Sequence, residues 1–89
     1  MVKAIVTFDA KNVAGLQEAL GKAGAMLQGA KGFRGMELRR GVETPQRLLL
    51  FADWDAVADH MAWMGVNETA FMGAVMPFLS SPPDIKHYQ

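Results

Sequence analysis

The sequence predicts a single α+β domain whose elements follow the order βαββαβ. Four short segments alternate between apolar and polar residues, as strands with a buried face do, and two longer segments carry apolar residues at helical spacing. A length of 89 residues suits one domain, residues 1–89, and leaves no room for a second. A domain this short buries little more than ~60% of its unfolded surface, so a further source of burial is expected.

The first strand is predicted from Val2 to Phe8, because every second residue of this segment is apolar. A helix follows, with Asn12 as an acceptable N-cap and an end at Lys31-Gly32. Four glycines lower its intrinsic propensity, so it is expected to hold only when packed on a sheet. Its apolar stripe consists of Val13, Leu16, Leu20, Ala23, Leu27 and Ala30.

Two strands are predicted to form a hairpin, the first from Phe33 to Gly41 and the second from Arg47 to Trp54. The second of these is apolar on both faces, since Leu49 and Phe51 lie opposite the other apolar residues of the strand. A strand with two apolar faces is usually buried on both. Two helices can cover only one side of the sheet, so a second subunit is predicted to cover the other.

The second helix is predicted to start at Asp55 or its neighbour, to break near Gly65 and to restart from Asn67. A short last strand runs from Ile85 to Gln89. This is the split-βαβ or ferredoxin-like arrangement, in which right-handed crossovers place both helices on one face of an antiparallel sheet. The apolar stripe of the second helix consists of Val57, Met61 and Met64 before the break and Phe71, Val75, Phe78 and Leu79 after it.

Composition argues against several classes of protein. Nine basic residues balance nine acidic ones, whereas a nucleic-acid partner usually demands clustered positive charge. No apolar run approaches the ~20 residues that span a bilayer, so no membrane partner is expected. The N-terminal segment lacks the long apolar core of a signal peptide, which predicts a cytoplasmic protein. Without cysteine, and with two histidines that have no spaced partner, no metal site is expected.

Three stretches of the chain carry a resemblance to a known family. The strand from Leu48 ends in Trp54 followed by an acidic residue, and it leads into the helical segment Ala58-Asp59-His60-Met61. A third match runs from Pro77 to Ile85. Together with the element order, these residues make the chain resemble the antibiotic biosynthesis monooxygenase family of dimeric α/β barrels, over essentially its whole length.

The resemblance implies a homodimer in which two ferredoxin-like sheets pack face to face, and a hydrophobic pocket between sheet and helices. Members of the family oxygenate quinols or anthrone-like compounds without metal or flavin, degrade haem, or isomerise small metabolites. The family's usual histidine position is occupied here by Trp63, and His60 lies one helical turn earlier. The haem-degrading group is incomplete, because the first strand has no Asn and Gly73 stands where a His is needed.

His60 is the best candidate for a catalytic residue. Helical geometry places it at the edge of the apolar stripe, where an imidazole can reach into a cleft and act as a general base with a pKa near neutrality. The alternative is a half-exposed histidine that is paired with Asp59 or another carboxylate, or with nothing.

Aromatic and methionine side chains are the candidates for contact with a planar apolar ligand. Each has a structural alternative: Trp54 can anchor the core or a subunit interface, Trp63 can close a pocket or contact a partner, and the methionines can fill a loosely specified core. The predicted substrate-binding residues are Trp54, Trp63, Met61, Met64, Phe71 and Phe78.

Three functions fit this sequence. The first is a cofactor-independent oxygenase, in which the protein desolvates, orients and deprotonates a small aromatic that then reacts with O₂. The second is an isomerase of the same fold, which needs the base but no O₂. The third is a non-catalytic dimer that binds a small apolar ligand or serves a stress role, and Trp63 in the usual histidine position favours it.

Overall fold

The elements follow the chain order that the sequence predicts, and the computed structural model describes residues 1–89 in full. The strands form one antiparallel sheet in the order β2-β3-β1-β4, so the ferredoxin-like α+β fold is confirmed. A single 3₁₀ turn, Met76–Phe78, follows the second helix. The elements are β1 Val2–Asp9, α1 Val13–Leu27, β2 Phe33–Arg40, β3 Arg47–Trp54, α2 Val57–Val75 and β4 Asp84–Tyr88.

The inner face of the sheet carries the core, and both helices cover it. β1 lies at the centre, where Ala4 is opposite Ala52 of β3 on one side and His87 of β4 on the other. Because successive side chains of a strand point to opposite faces of the sheet, every second side chain faces the helices. The buried residues of this face are Val2, Ala4, Val6, Phe8, Leu48, Leu50, Ala52 and Trp54.

Helix α1 begins as predicted and ends early. The side chain of Asn12 accepts a hydrogen bond from the backbone nitrogen of Gly15 at 3.0 Å, which satisfies one free donor of the first turn. The predicted end at Lys31-Gly32 is wrong, because the helix stops at Leu27 and Gln28 is extended. Gly29 then adopts a φ of 81°, a conformation that interrupts any helix.

The predicted break in α2 is also wrong, because the helix is continuous from Val57 to Val75. Gly65 costs about 1 kcal/mol relative to alanine, which tertiary packing outweighs. Asn67 does not cap a new segment, and its Nδ2 donates to the carbonyl oxygen of Trp63 at 3.0 Å within the helix. The N-cap is Ala56, the neighbour of Asp55, and it has no capping side chain.

A continuous α2 buries a different stripe from the predicted one. Phe71 and Val75 are buried as expected. Residues three or four positions apart lie on the same face of a helix, and such steps back from Phe71 place His60 on this buried face. His60 is therefore buried at 5% exposure, whereas Val57 and Met61 are 40% and 45% exposed. The predicted stripe assumed two independent segments, and one unbroken helix fixes both halves in a single register.

No helix covers the outer face of the sheet. Its centre holds Ile5 and Phe51, which are direct cross-strand partners, and beside them Leu49. All three are only partly buried in the single chain. Around them lie three ion pairs, which are Lys3–Asp53, Arg39–Glu37 and Lys86–Asp84.

Strand boundaries agree with the predicted ones to within one residue. β1 extends to Asp9, β2 ends at Arg40, β3 is as predicted, and β4 begins at Asp84. Neither helix combines the length and apolar character needed to cross a membrane.

Two glycines of α1 provide a test of the helix packing. A Cβ built at Gly15 would lie 2.6 Å from two ring carbons of Phe78, and a Cβ at Gly21 would meet nothing within 4 Å. We expect Gly15→Ala to lower the free energy of unfolding by about 1–3 kcal/mol through overpacking. The matched Gly21→Ala is expected to raise it by up to about 1 kcal/mol through helix propensity. Urea unfolding measures both, and equal stabilisation by the two variants would contradict the close packing at Gly15.

Candidate active site

An apolar cavity lies between the inner face of the sheet and α2, and it contains one ionisable side chain, His60. Its volume is about 30 Å³, which is room for one or two water molecules. The strands and α2 supply most of its walls, and the last residue of α1 completes them. The lining residues are Val6, Leu27, Leu50, Ala52, Trp54, His60, Trp63, Met64, Phe71 and Ile85.

His60 is held from two sides. Its imidazole stacks on the indole of Trp54, with ring centroids 4.9 Å apart and an interplanar angle of 15°. Its Nδ1 lies 2.8 Å from Nε2 of His87, so the two rings share a hydrogen bond. These contacts leave Nε2 of His60 as the ring nitrogen that His87 does not engage. The expected alternative partner, Asp59, makes no ion pair with His60, and its carboxylate packs against Gly32.

Burial, and to a smaller extent the electrostatic effect of His87, lower the pKa of His60 from 6.5 to about 4. A pKa near neutrality, which a position at the edge of the stripe predicted, is therefore wrong for this buried site. His60 is uncharged at pH 7. A neutral imidazole has one bare ring nitrogen that can accept a proton and one N–H that can donate.

Trp54, another residue of the cavity wall, carries a buried polar atom without a partner. Its side chain is fully buried, and the edge of Phe33 packs against it at a centroid distance of 5.4 Å. Its Nε1 is the only buried side-chain nitrogen or oxygen that has no hydrogen-bond partner in the chain. An unsatisfied buried donor costs roughly 1–3 kcal/mol, and an acceptor on a bound molecule would recover that energy.

Trp63 separates the cavity from the surface between α1 and α2. Its ring contacts those of Trp54 and Phe71 at centroid distances of 6.5 and 6.1 Å, and its Nε1 donates to the carbonyl oxygen of Met26 at 3.4 Å. On its other side it lines an open groove with residues of α2 and with Ala30 and Lys31 of the loop that follows α1. Trp63 is thus a wall of the cavity, packed against two of its aromatic residues.

The structure brings together five of the seven predicted site residues. Trp54, His60, Trp63, Met64 and Phe71 all line the cavity. The other two lie elsewhere. Met61 borders a separate surface groove with Glu68 and His87, and Phe78 lies between the helices against Gly15.

His87 is the site residue that sequence reasoning missed. It lies on β4, opposite Ala4 of the central strand, and it is half-buried. The available signal was the alternation of β4, which places His87 on the same face as Ile85. Two residues, Met64 and Ile85, form the wall shared by the cavity and the groove beside His87, whose volume is about 330 Å³.

The chain holds no group of three or more His, Asp and Glu side chains arranged to bind a metal ion. No residue of an ion pair lines the cavity, and two of these pairs are Arg47 with Asp9 and Arg34 with Asp55. The guanidinium of Arg34 lowers the pKa of the Asp55 carboxyl. The polar side-chain groups of the residues that line the cavity are therefore the imidazole of His60 and the indole N–H groups of Trp54 and Trp63, and Trp63 uses its own for the bond to Met26.

Comparison with known proteins identifies the class of the fold. No protein-family model and no curated protein sequence matches the chain. Solved structures do match it over almost its whole length. A proposed antibiotic biosynthesis monooxygenase from Bordetella bronchiseptica is 25% identical, with a TM-score of 0.91, covering 99% of this chain and 94% of that one.

Two more distant structures agree. A proposed antibiotic biosynthesis monooxygenase from Deinococcus radiodurans is 17% identical, with a TM-score of 0.85 and coverage of 100% and 91%. A variant of SnoaB, a cofactor-independent oxygenase from Streptomyces nogalater, is 12% identical, with a TM-score of 0.86 and coverage of 99% and 90%. The chain has the fold of the antibiotic biosynthesis monooxygenases, and the resemblance seen in its sequence is confirmed.

The burial of His60 predicts a pH-dependent stability. The unfolded chain binds a proton at His60 with a pKa of about 6.5, whereas the folded chain does so only near 4. Between these values the unfolded state holds more protons, so stability is fully present above pH 6.5 and falls as the pH drops towards 4, by about 3 kcal/mol from this residue. Urea unfolding of the native chain and of His60→Phe at pH 7 and pH 4.5 measures it. The same pH dependence in both proteins would refute this prediction.

Proposed function

We propose that the protein is a cofactor-independent monooxygenase that oxidises a small hydroxylated aromatic of the quinol or anthrone class in the cavity beside His60. The observation that carries the proposal is that one apolar cavity is lined both by the neutral imidazole of His60 and by Trp54, whose buried indole N–H has no partner. The likeness to SnoaB and to the other structures supports the same class of reaction.

His60 is proposed as the general base. Its Nε2 accepts the proton of the substrate, and the apolar walls keep water from solvating the resulting anion. An electron-rich anion can then react with O₂ directly. In an anthrone, the CH₂ group becomes a carbonyl: one oxygen atom enters the substrate, the other leaves as water, and the substrate supplies all four electrons.

Trp54 is proposed as the hydrogen-bond donor to the substrate oxygen. The hydroxyl or enol oxygen gains negative charge as its proton leaves, and a donor fixed in an apolar site stabilises that charge strongly. This role gives the unpaired Nε1 an acceptor, and it pairs Trp54 with His60 on a single functional group. The substrate class therefore requires an ionisable oxygen on an aromatic frame.

The cavity, with a volume of about 30 Å³, is too small for such a compound, so its wall must open further. Met64 and Ile85 are the residues that separate it from the groove at His87. Methionine has three rotatable bonds and adapts to different neighbours, and Ile85 belongs to a five-residue strand at the edge of the sheet. We infer that ligands enter through this wall.

A non-catalytic ligand-binding role is the second candidate. Trp63 favours it, because it occupies the position of the usual family histidine. The low pKa of His60, about 4, favours it too, since a base of that strength holds a proton poorly at pH 7.

We also propose that the partner is a second copy of the chain, packed against the outer face of the sheet. The apolar centre formed by Ile5, Leu49 and Phe51 is left uncovered by both helices. The charges around it are already paired within the chain, so a second copy brings no uncompensated charge against it. Burial of this face would supply the additional core that a small domain needs.

Oxygen uptake tests the proposed reaction. Metal-free protein is mixed with anthrone or with 1,4-dihydroxynaphthalene, and uncatalysed autoxidation is subtracted. We expect uptake proportional to protein, a loss of roughly 100-fold or more in His60→Phe, and a loss of roughly 10-fold or more in Trp54→Phe.

The control is Val42→Ala. Val42 is exposed on the hairpin turn before β3, whereas Trp54 is the last residue of β3. Equal rates in wild type and His60→Phe would refute the role of His60 and keep the oxygenase. Absence of catalysed uptake with both compounds, together with binding of anthrone to the protein, would favour the ligand-binding role.

Sedimentation tests the proposed dimer. We expect the wild type to sediment at twice the mass of its 9.7 kDa chain and Phe51→Lys to sediment as a monomer, because a lysine at the centre of the apolar face cannot be desolvated cheaply. Val42→Lys also replaces an apolar residue with lysine, but at an exposed position, and this variant should remain dimeric. A monomeric wild type would contradict the proposal.

A further inference from the structure

His87 connects His60, a residue of the cavity wall, to the protein surface. Its Nε2 is 2.8 Å from Nδ1 of His60, and the two rings meet edge-on with centroids 5.1 Å apart at 65°. His60 lines the closed cavity, whereas His87 borders two open grooves on the surface. The pair is thus a continuous hydrogen-bonded path from a buried site to water.

A proton retained on His60 would be costly. The site is buried and apolar, neither histidine forms an ion pair with a carboxylate, and His60 lies in the first turn of α2, where the helix dipole disfavours a cation. His87 is half-buried and borders two open grooves, so a proton passed to it would lie next to water. The two rings therefore differ in the cost of holding the same charge.

We propose that His87 is a positioning residue that fixes the ring of His60 and takes over its proton, so that His60 remains neutral throughout the reaction. This inference rests on the proposed function of His60 as base. In the resting pair, Nδ1–H of His60 donates to Nε2 of His87, and Nε2 of His60 is bare. When Nε2 accepts the substrate proton, the Nδ1 proton moves to His87, which then loses a proton from its own Nδ1 to water.

The end state of this transfer also suits the substrate anion. His60 now carries its proton on Nε2, so Nε2–H and the Nε1–H of Trp54 can both donate to the negative oxygen. His60 is the Nδ1–H tautomer before the proton transfer and the Nε2–H tautomer after it. No atom other than the transferred protons has to move.

The ionisable groups around His87 are few. Glu68 of α2 borders one of its grooves and Tyr88 of β4 borders the other. The neighbouring central strand contributes Val2 and Ala4, which carry no ionisable side chain. His87 is therefore the only group in contact with His60 that can receive its proton.

Nuclear magnetic resonance of protein labelled with ¹⁵N in the histidine rings tests the transfer without any turnover. As the pH is lowered from 8 to 5, we expect the first proton added to the pair to reside on His87, while His60 stays neutral and its bound hydrogen moves from Nδ1 to Nε2. Direct conversion of His60 to imidazolium, or an unchanged site of protonation on it, would overturn the proposal.

Kinetics provide the second test, with anthrone as the probe. His87→Gln retains a hydrogen-bonding side chain but cannot carry the proton, so we expect kcat to fall roughly 100-fold with KM little changed. The solvent deuterium isotope effect should indicate that two protons move together in the wild type and that only one moves in His87→Gln. Tyr88→Phe, a conservative change of the adjacent residue, is the matched control and should keep the wild-type rate.

The two proposals fail in different ways. A wild type that consumes oxygen as fast as His87→Gln, with the same isotope effect, overturns the role of His87 and leaves the oxygenase standing. A wild type without catalysed uptake removes the proposed function, and the titration of the labelled rings still decides whether protons pass from His60 to His87.

Discussion

The unbroken course of α2 is the constraint on which the rest of the site depends. Phe71 and Val75 near its C-terminal end are buried against the sheet, and a continuous helix transmits that orientation to its first turn. His60 is consequently turned inward onto the indole of Trp54. A kink at Gly65 would have freed the first turn to bury Val57 and Met61 and to leave His60 at the edge.

The inward position of His60 determines its chemistry. Burial favours the neutral imidazole and lowers its pKa to about 4, so the ring can accept a proton but holds it weakly. The bond to His87 offsets part of the cost of burying a polar ring and connects it to the surface. Trp54, another residue of the cavity wall, has a buried Nε1 without a hydrogen-bond partner. A buried donor without a partner calls for an explanation, and the proposed substrate oxygen supplies one.

The two faces of the sheet differ in what they contact. The inner face binds both helices and contains the cavity, while the outer face exposes Ile5, Leu49 and Phe51 between paired charges. β1 and β3 lie at the centre of the sheet and contribute to both. The proposed dimer would bury the second face and hold rigid β3, the strand that ends at Trp54. The proposed interface and the cavity thus lie on opposite faces of the same strands.

The sequence by itself determined the order of elements, the bounds of β3, the cap at Asn12 and the family resemblance, because alternation and helical spacing are local properties. It also identified five of the residues that line the cavity, since large apolar side chains near Trp54 must pack together. Only the tertiary structure decided the face of α2, since that face depends on packing energy along the whole helix rather than on the propensity of Gly65. Only it paired His60 with His87, because the two residues are 27 positions apart and meet through the antiparallel pairing of β1 with β4.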